Sequence, residues 1–376
     1  MPSAIPTIPG ELLADTHMAL LRRQVASILG RRVDEFPGAQ PVSFATHHLD
    51  QLRQRDFFVC EKSDGVRCLM FITSEPDRDP SRPCREVVYL IDRKNHYYQV
   101  PRLHFPLPDD PTCKTFHDRT ILDGELVIDT EADGSQVMRY LVFDCLVING
   151  KNLIKRDYSK RLGHVQNLLL KPLQKFLKAN LTFSRDMPFR VEFKEMQFAY
   201  GLSLLFNKLL PELKHGNDGL IFTSWDAPYV FATNENILKW KPAEENSIDF
   251  QLRLAFNKFP DGSNDYNSRP SFELYVWKGG DSYEYWADLP LSDAQFQELV
   301  AQGRPLNERT VECALKDGRW TMLRFRDDKE QGNHITTVKK VLQSIRDGVT
   351  KEQLVAKEAD IRNAWKSEER EEFRKK

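Results

Sequence analysis

The sequence lacks several features that would assign it to a membrane or disulfide-rich class. No apolar run approaches the roughly 18 residues that a bilayer-spanning helix needs, which argues against an integral membrane protein. The six cysteines form no CxxC pair and have no histidine at metal-ligand spacing, so neither a structural zinc site nor a disulfide framework is expected. The first ten residues lack the charged start and apolar stretch of a secretory signal. We therefore expect an intracellular protein.

Net charge is nearly absent as well. The 54 Lys and Arg side chains against 55 Asp and Glu leave a formal charge of −1. This balance argues against a protein that coats nucleic acid through bulk positive charge, so local clusters of cations must hold any anionic partner. At 376 residues, the chain is long enough for about two or three domains with cores of their own.

Short β-rich runs separated by turns occupy two parts of the chain. A predicted amphipathic helix over residues 12–29 precedes the first part, and five short strands within residues 250–325 suggest a small barrel in the second. Residues 75–85, with three prolines, are typical of a surface loop. The remaining runs are predicted as strands over 57–60, 68–73, 87–92, 122–128 and 140–147, and as helices over 336–345 and 351–373.

Residues 151–178 combine a helical stripe of apolar residues with eight Lys or Arg and a single acid, Asp157. Pro172 is expected to kink this helix or to split it in two. The basic side chains have two interpretations, which the sequence leaves open. They form either the solvated face of an ordinary packed helix or a docking surface for phosphates.

The strongest local signal is Lys62, Ser63, Asp64 and Gly65, followed by Arg67, directly after the strand predicted over residues 57–60. Alone, this KxDG pattern is weak, because a surface turn explains it equally well. The order of other clusters along the chain strengthens it. These clusters are LDGEL at 122–126, YLVFD at 140–144, DGLI at 218–221, KWKP at 239–242 and RFRDDK at 324–329.

Transfer of a nucleotide to a lysine is a chemistry that needs such a set. A free lysine amine has a pKa of about 10.4 and is a poor nucleophile at neutral pH until nearby cations lower that pKa. Lys239 and Lys241 alternate around Trp240, so on a strand both amines point to one face. If that face meets Lys62, the two lysines would lower its pKa and hold α-phosphate oxygens.

Acidic and basic side chains elsewhere complete this scheme. Asp218 is suited to a divalent cation, and Glu125 to a ribose hydroxyl. Arg324, Arg326 and Lys329, with Asp328 between them, are suited to grip the β- and γ-phosphates of a triphosphate. Because this cluster belongs to a different domain from Lys62, the mechanism predicts closure before chemistry.

The ordered set KxDGxR, LDGEL, YLVFD, DGLIF, KWKP and RxRxDK resembles the covalent nucleotidyltransferase superfamily of mRNA capping enzymes and ATP-dependent polynucleotide ligases. Residues 47–70, 90–98 and 319–345 are similar specifically to the fungal mRNA guanylyltransferase subunits. The resemblance extends from residue 41 to residue 345. One departure is Ser63, where Thr is more usual, and the hydroxyl is retained.

The resemblance implies an α+β fold class. Residues 1–246 would form a nucleotidyltransferase domain of antiparallel sheets with flanking helices, and residues 247–330 an OB-fold barrel. Residues 331–376 would form a C-terminal helical segment that packs back on the first domain.

It also implies a role for each matching residue. Lys62 is the nucleophile that carries GMP, Tyr140 is the first choice and Phe143 the second for stacking on guanine, and Asp249 matches an acidic position of the family. The remaining implied roles are ribose contact for Arg67, Arg93 and Glu125, base recognition for Lys194, α-phosphate contact for Lys239 and Lys241, metal binding for Asp218, and the closing motif of the OB fold for Arg326, Asp328 and Lys329.

The implied activity is mRNA capping. GMP would pass from GTP, with Mg²⁺ or Mn²⁺, through lysyl-GMP to the 5′-diphosphate end of RNA. Implied partners are a separate RNA 5′-triphosphatase subunit and the phosphorylated C-terminal domain of RNA polymerase II, which places the protein in the nucleus. Two alternatives stay open: an ATP-dependent polynucleotide ligase, which would be labelled by ATP, and a non-catalytic scaffold that binds RNA and partners through the OB fold.

Overall fold

A computed structural model describes residues 5–32, 34–77 and 84–375 of the chain. The chain divides into two compact units, one of residues 1–43, 47–240 and 352–376 and the other of residues 44–46 and 241–351. The domain limits drawn from the sequence stay a prediction. Of the loop predicted over residues 75–85, residues 78–83 lie outside the described residues.

The first unit is built mainly from strands. Up to residue 240 its elements are β1 (Glu11–Leu12), α1 (Asp15–Ile28), β2 (Ala39–Ser43), α2 (His48–Gln54), β3 (Phe57–Ser63), β4 (Val66–Glu75), β5 (Arg85–Ile91), β6 (Tyr97–Val100), β7 (Thr120–Thr130), β8 (Gln136–Ile148), β9 (Lys151–Asn152), α3 (Tyr158–His164), α4 (Lys171–Ala179), α5 (Leu181–Asp186), β10 (Arg190–Phe193), β11 (Gln197–Phe198), α6 (Leu202–Leu204), β12 (Asn217–Ser224) and β13 (Ala232–Trp240).

These strands form two sheets. The larger has the order β1-β6-β5-β4-β7-β8-β10, with β9 paired to β8, and the smaller has the order β11-β3-β12-β13-β2. The predicted antiparallel arrangement is confirmed for most neighbours, but β10 pairs with β8 and β2 pairs with β13 in parallel.

Both faces of the larger sheet are buried, which explains its nearly continuous apolar strands. Along β4, Cys68 and Met70 belong to one core cluster and Leu69 and Phe71 to another, as the alternation of side chains in a strand requires. The stripe of α1 that includes Leu21 covers the second cluster, and the helical residues 158–179 cover the first.

Pro172 does not split its helix. Instead, residues Val165–Leu170 form a π-helical turn between α3 and α4. A proline lacks the N–H that would bond the carbonyl four residues earlier, here that of Leu168. The Leu168 oxygen accepts from His117 Nε2 at 3.0 Å instead. Because of the π-helical turn and the hydrogen bond from His117, the helical segment continues past Pro172 without a break.

The second unit contains the five-stranded antiparallel architecture expected of an OB fold. Its strand order is β16-β15-β14-β17-β18, around a core that includes Phe250, Leu274 and Val311. Its elements are β14 (Ser247–Ala255), β15 (Ser271–Gly279), β16 (Ser282–Asp288), α7 (Asp293–Ala301), β17 (Thr310–Lys316), β18 (Arg319–Phe325) and α8 (Ile335–Arg346).

Three short helices replace the single helix predicted over residues 351–373: α9 (Lys351–Ala356), α10 (Glu358–Trp365) and α11 (Glu368–Lys375). Arg370 and Arg374 on α11 both form ion pairs with the buried Asp56, one residue before β3. Among the helices of the described ranges, none has the length and apolar character required to cross a bilayer.

Candidate active site

A cavity in the first unit brings together residues from both sheets. Six of the predicted site residues line it: Lys62, Arg67, Arg93, Glu125, Phe143 and Lys194. They come from β3, β4, β7 and β8 and from the segments after β5 and β10. Cys60 lines the same cavity, but burial raises the pKa of its thiol to about 12. Cys60 therefore stays protonated and does not compete as a nucleophile at neutral pH.

Lys62 lies in β3 and not in the turn after it. Its Nζ donates to Asp218 Oδ1 at 2.6 Å. Asp218 and Gly219 lie opposite a single residue of β3, because the β12–β3 pairing steps from Asn217 and Ser63 to Leu220 and Glu61. Such a bulge re-aims side chains, and Gly219 tolerates the φ of +148° found there. The bulge thus turns Asp218 toward the predicted nucleophile.

Arg67 is held by a buried carboxylate. Its guanidinium donates to both oxygens of Asp123, at 3.0 and 2.6 Å, and Asp123 has no exposed surface. Tyr229 Oη donates to the same carboxylate at 2.6 Å. Burial alone would lower the pKa of Arg67, but the charge of Asp123 raises it above its ordinary range. Arg67 is therefore a fixed cation at the cavity wall.

Lys194 is a second fixed cation in this cavity, with only 3% of its surface exposed. Its Nζ donates to Ser63 Oγ at 2.6 Å and lies 3.3 Å from Glu61 and 3.6 Å from Glu125. Burial would lower the pKa of Lys194, but Glu61 and Glu125 raise it above its ordinary value. Burial also raises the pKa of Glu125, although Lys194 acts in the opposite direction.

The choice of Tyr140 over Phe143 for stacking is corrected by the structure. Tyr140 is 0% exposed in the core, where its Oη donates to the Cys68 carbonyl at 2.9 Å. A Cβ atom at Gly124 would lie 2.4 Å from the Tyr140 ring, so LDGEL needs glycine there for packing. Phe143 lines the cavity instead.

A bulge sets the position of Phe143. The β7–β8 pairing passes from Asp123 and Asp144 to Gly124 and Val142, which leaves Phe143 as the extra residue. The Phe143 carbonyl accepts from Tyr158 Oη at 2.8 Å, and the Arg67 guanidinium lies 5.7 Å from the ring centre.

Several supporting residues were missed from the sequence. Arg161 is 2% exposed and donates to both oxygens of the buried Asp144, at 2.7 and 2.9 Å. It also donates to the Ala227 carbonyl at 2.7 Å, which ties α3 to the segment after β12. Asp123 and Asp144 interrupt apolar strand runs. Because an unpaired buried charge is costly, this pattern predicts a cationic partner for each carboxylate.

The predicted lysines after DGLIF are divided between the two units. Lys239 pairs with Ile221, which pairs with Cys60, so these three residues share one face of the smaller sheet with Lys62. Lys241 follows β13 and belongs to the second unit.

The predicted phosphate-binding residues of the second unit form a cluster of their own. Asp249 accepts from Arg326 Nη1 at 3.3 Å and from Lys329 Nζ at 2.5 Å. Arg326 also donates to both oxygens of Asp328, and these hydrogen bonds, with the charge of Asp249, raise the pKa of Arg326. Arg324 pairs with Glu312 instead. The cations are therefore close together, and each of them contacts a carboxylate of the same unit.

The predicted metal ligand, Asp218, contacts the predicted nucleophile. Across the described ranges, no group of three or more His, Cys, Asp or Glu is arranged to hold a metal ion. Mg²⁺ bound with nucleotides takes only one or two carboxylates, and substrate phosphates and water complete its shell. The single carboxylate of Asp218, adjacent to the predicted nucleophile, fits that kind of site.

Two family models together, and curated proteins of two fungi, match most of this chain. The family model of the mRNA capping enzyme catalytic domain matches residues 5–243, and that of the C-terminal domain matches residues 245–355. The mRNA-capping enzyme subunit alpha of Schizosaccharomyces pombe is 44% identical over 360 residues, covering 96% of this chain and 89% of that protein. The Saccharomyces cerevisiae subunit alpha is 38% identical over 404 residues, covering 96% and 87%.

Proposed function

The chain belongs to the mRNA capping enzyme family, and from this membership we propose that it is an mRNA guanylyltransferase that transfers GMP from GTP, through a covalent lysyl-GMP, to the 5′-diphosphate end of RNA. One observation carries the proposal. Lys62 opens into a cavity with two fixed cations, Arg67 and Lys194, and an aromatic ring, Phe143. Arg67 suits a ribose, Lys194 a polar base edge and Phe143 a base face.

In the first step, the Lys62 amine attacks the α-phosphorus of GTP. Before attack, Nζ has to lose a proton and leave the ion pair with Asp218. The new P–N bond replaces the bond from the α-phosphorus to the oxygen that bridges to the β-phosphate, and pyrophosphate departs. Phe143 stacks on the guanine, Lys194 donates to the base, and Glu125 accepts from a ribose hydroxyl.

In the second step, a terminal oxygen of the RNA 5′-diphosphate attacks the same phosphorus. The P–N bond breaks, the Lys62 amine takes up a proton, and a 5′–5′ triphosphate links guanosine to the RNA. Asp218 would hold a divalent cation, Mg²⁺ or Mn²⁺, which offsets phosphate charge.

Labelling with α-labelled nucleotides tests the proposal. The purified chain should form a denaturation-stable adduct with GTP and not with ATP, and EDTA should abolish it. Lys62→Ala should remove the adduct, whereas Lys316→Ala, at an exposed lysine of the second unit, should retain it. Labelling by ATP alone would identify a polynucleotide ligase, and absence of any adduct would favour the non-catalytic scaffold.

We also propose partners and a location. The relatives carry the name subunit alpha, which implies a partner subunit. The partner proposed here is a separate RNA 5′-triphosphatase subunit, because the activity requires an RNA that ends in a diphosphate. The phosphorylated C-terminal domain of RNA polymerase II is the second proposed partner, and capping of nascent transcripts places the protein in the nucleus.

A further inference from the structure

A histidine outside the nucleotide cavity is connected to the residues that form its base-binding wall. His215 lies in the loop before β12, and that loop bridges the two sheets of the first unit. Thr130 N, at the end of β7, donates to the Lys214 carbonyl at 2.9 Å, and Asp64 N donates to the Gly216 carbonyl at 2.8 Å. The backbone on both sides of His215 is therefore fixed.

The imidazole of His215 lies between two carboxylates, with 6% of the side chain exposed. Nδ1 is 2.7 Å from Asp129 Oδ1, and Nε2 is 3.6 Å from Glu61 Oε1 and 3.5 Å from Ser63 Oγ. Burial would lower the pKa of His215, but the adjacent carboxylates of Glu61 and Asp129 raise it above its ordinary value. In the protonated ring both nitrogens donate, so the cation suits these surroundings better than the neutral form.

Glu61 connects His215 to residues that line the nucleotide cavity. Successive side chains of β3 alternate, so Glu61 lines a second cavity, behind the first, while Lys62 lines the nucleotide cavity. Glu61 Oε1 accepts from Ser63 Oγ at 3.2 Å, and Ser63 Oγ accepts from Lys194 Nζ. One carboxylate is thus shared among a histidine, a serine and the lysine assigned to the base.

Asp129 holds the other ring nitrogen of His215, Nδ1. Its Oδ2 accepts from Arg139 Nε at 2.5 Å, which leaves Oδ1 to the histidine. Lys194 and His215 therefore both lie against the carboxylate of Glu61. If His215 were removed, the charge of Glu61 would act on Lys194 alone and draw its ammonium away from the cavity.

We propose that His215 is a positioning residue for guanylyl transfer, which holds Glu61 so that Ser63 and Lys194 present their polar atoms to the guanine base. The inference rests on the proposed function, because it needs Lys194 to contact the base. His215 is not in the cavity, and it acts on the nucleotide only through Glu61, Ser63 and Lys194.

Steady-state transfer of GMP from GTP to a diphosphate-ended RNA by the full chain tests this role. His215→Ala removes the contacts of the imidazole with Asp129 and Glu61. Because Glu61 contacts Lys194, nucleotide binding should weaken and the KM for GTP should rise about tenfold. Because Lys62 and its phosphate contacts are untouched, kcat should change less than about threefold. His215→Gln keeps a donor near the place of Nε2 and should recover most of the affinity.

His215→Ala in a variant that already lacks Lys194 separates a positioning role from general destabilisation. If His215 acts through Lys194, then His215→Ala should change the KM for GTP less than about twofold in a Lys194→Gln background. Equal losses of GTP affinity in both backgrounds would overturn the proposal, and so would a loss confined to kcat.

His104 supplies a matched control. It is also a largely buried histidine between two acceptors, with Nδ1 2.6 Å from Glu86 Oε2 and Nε2 2.9 Å from the Cys113 carbonyl, but it does not line the nucleotide cavity. His104→Ala should lower thermal stability and leave the KM for GTP unchanged.

Absence of an adduct in the unmodified chain would refute the proposed function itself. Normal labelling with an unaltered KM in His215→Ala would refute only the role of His215.

Discussion

Phe143 and Tyr140 lie three residues apart on β8 and have opposite surroundings. Residues at odd separations along a strand point to opposite faces of the sheet, and the bulge at Phe143 turns its ring further into the cavity. Tyr140 packs over Gly124 and donates its hydroxyl within the core. Phe143 therefore lines the cavity, whereas Tyr140 is part of the core.

Substitution of each ring should separate these two roles. Phe143→Ala removes a stacking surface worth about 1–3 kcal/mol, so the KM for GTP should rise at least about fivefold with little change in the unfolding midpoint. Tyr140→Phe removes a buried donor and should cost about 1–2 kcal/mol of unfolding free energy without changing the KM. Lysyl-GMP kinetics and thermal unfolding measure the two effects. A normal KM in Phe143→Ala would show that Phe143 is not the stacking residue.

The sequence was sufficient to predict several individual site residues but not their partners. Lys62 and Glu125 were predicted from local patterns, and Arg67 and Lys194 from the family resemblance; all four line one cavity. Nothing in the spacing along the chain indicates that Asp144 pairs with Arg161, 17 residues away, or that Asp123 accepts from Tyr229, 106 residues away. Such pairings depend on tertiary packing, which local patterns do not encode.

Strands and helices were predicted more successfully than the irregularities within them. Alternation and apolar periodicity located α1 and the main strands near their observed positions. The bulges at Phe143 and at Asp218 were not predicted, because a bulge is a property of the pairing between two strands. The π-helical turn before Pro172 was missed for a similar reason, since His117 of another segment satisfies the freed carbonyl. These irregularities position two of the predicted site residues.

A histidine–carboxylate pair that joins β5 to the segment after β6 should make stability depend on pH. Burial would lower the pKa of His104, but its bonds to Glu86, the Cys113 carbonyl and the charge of Asp110 raise it above the ordinary value. A raised pKa in the folded state adds stability that is fully present below the unfolded pKa. This stability is lost as the pH rises through the folded pKa.

Comparison with His104→Gln isolates this contribution. The unmodified chain should be more stable than the variant by about 1 kcal/mol near pH 6, and the difference should shrink toward pH 9. Chemical denaturation at several pH values measures it, and contributions from other histidines cancel in the difference. A difference that grows with pH would contradict the assigned direction.

Charge over the whole chain is balanced, but it is distributed unevenly. Most of the predicted site residues fall into two sets, one at the cavity of the first unit and one around Asp249 in the second. The second set was predicted as a group of cations for phosphate. Its neutralisation by Asp249 and Asp328 was not predicted, because carboxylates near in sequence give no indication of which cation they will contact. If a triphosphate binds these cations as predicted, it has to displace these carboxylates.

The basic face of α4 is the other local concentration of charge, and its role as a docking surface stays a prediction. Lys171, Lys175 and Lys178 are exposed, and their spacing of four and three residues places them along one side of the helix. Three ammonium groups in a row suit a peptide that carries several phosphates, as the proposed polymerase partner does.

Reversing two of these charges should weaken that binding specifically. A Lys171→Glu, Lys175→Glu variant should bind a phosphorylated polymerase-tail peptide at least about tenfold more weakly, with lysyl-GMP formation unchanged. The matched control reverses Lys339 and Lys340, two exposed lysines of α8, and alters net charge equally. Fluorescence anisotropy at two salt concentrations measures the affinity, and the binding lost should be the salt-sensitive part. Equal weakening by both variants would indicate non-specific attraction, and an unaltered affinity would exclude α4 as the docking surface.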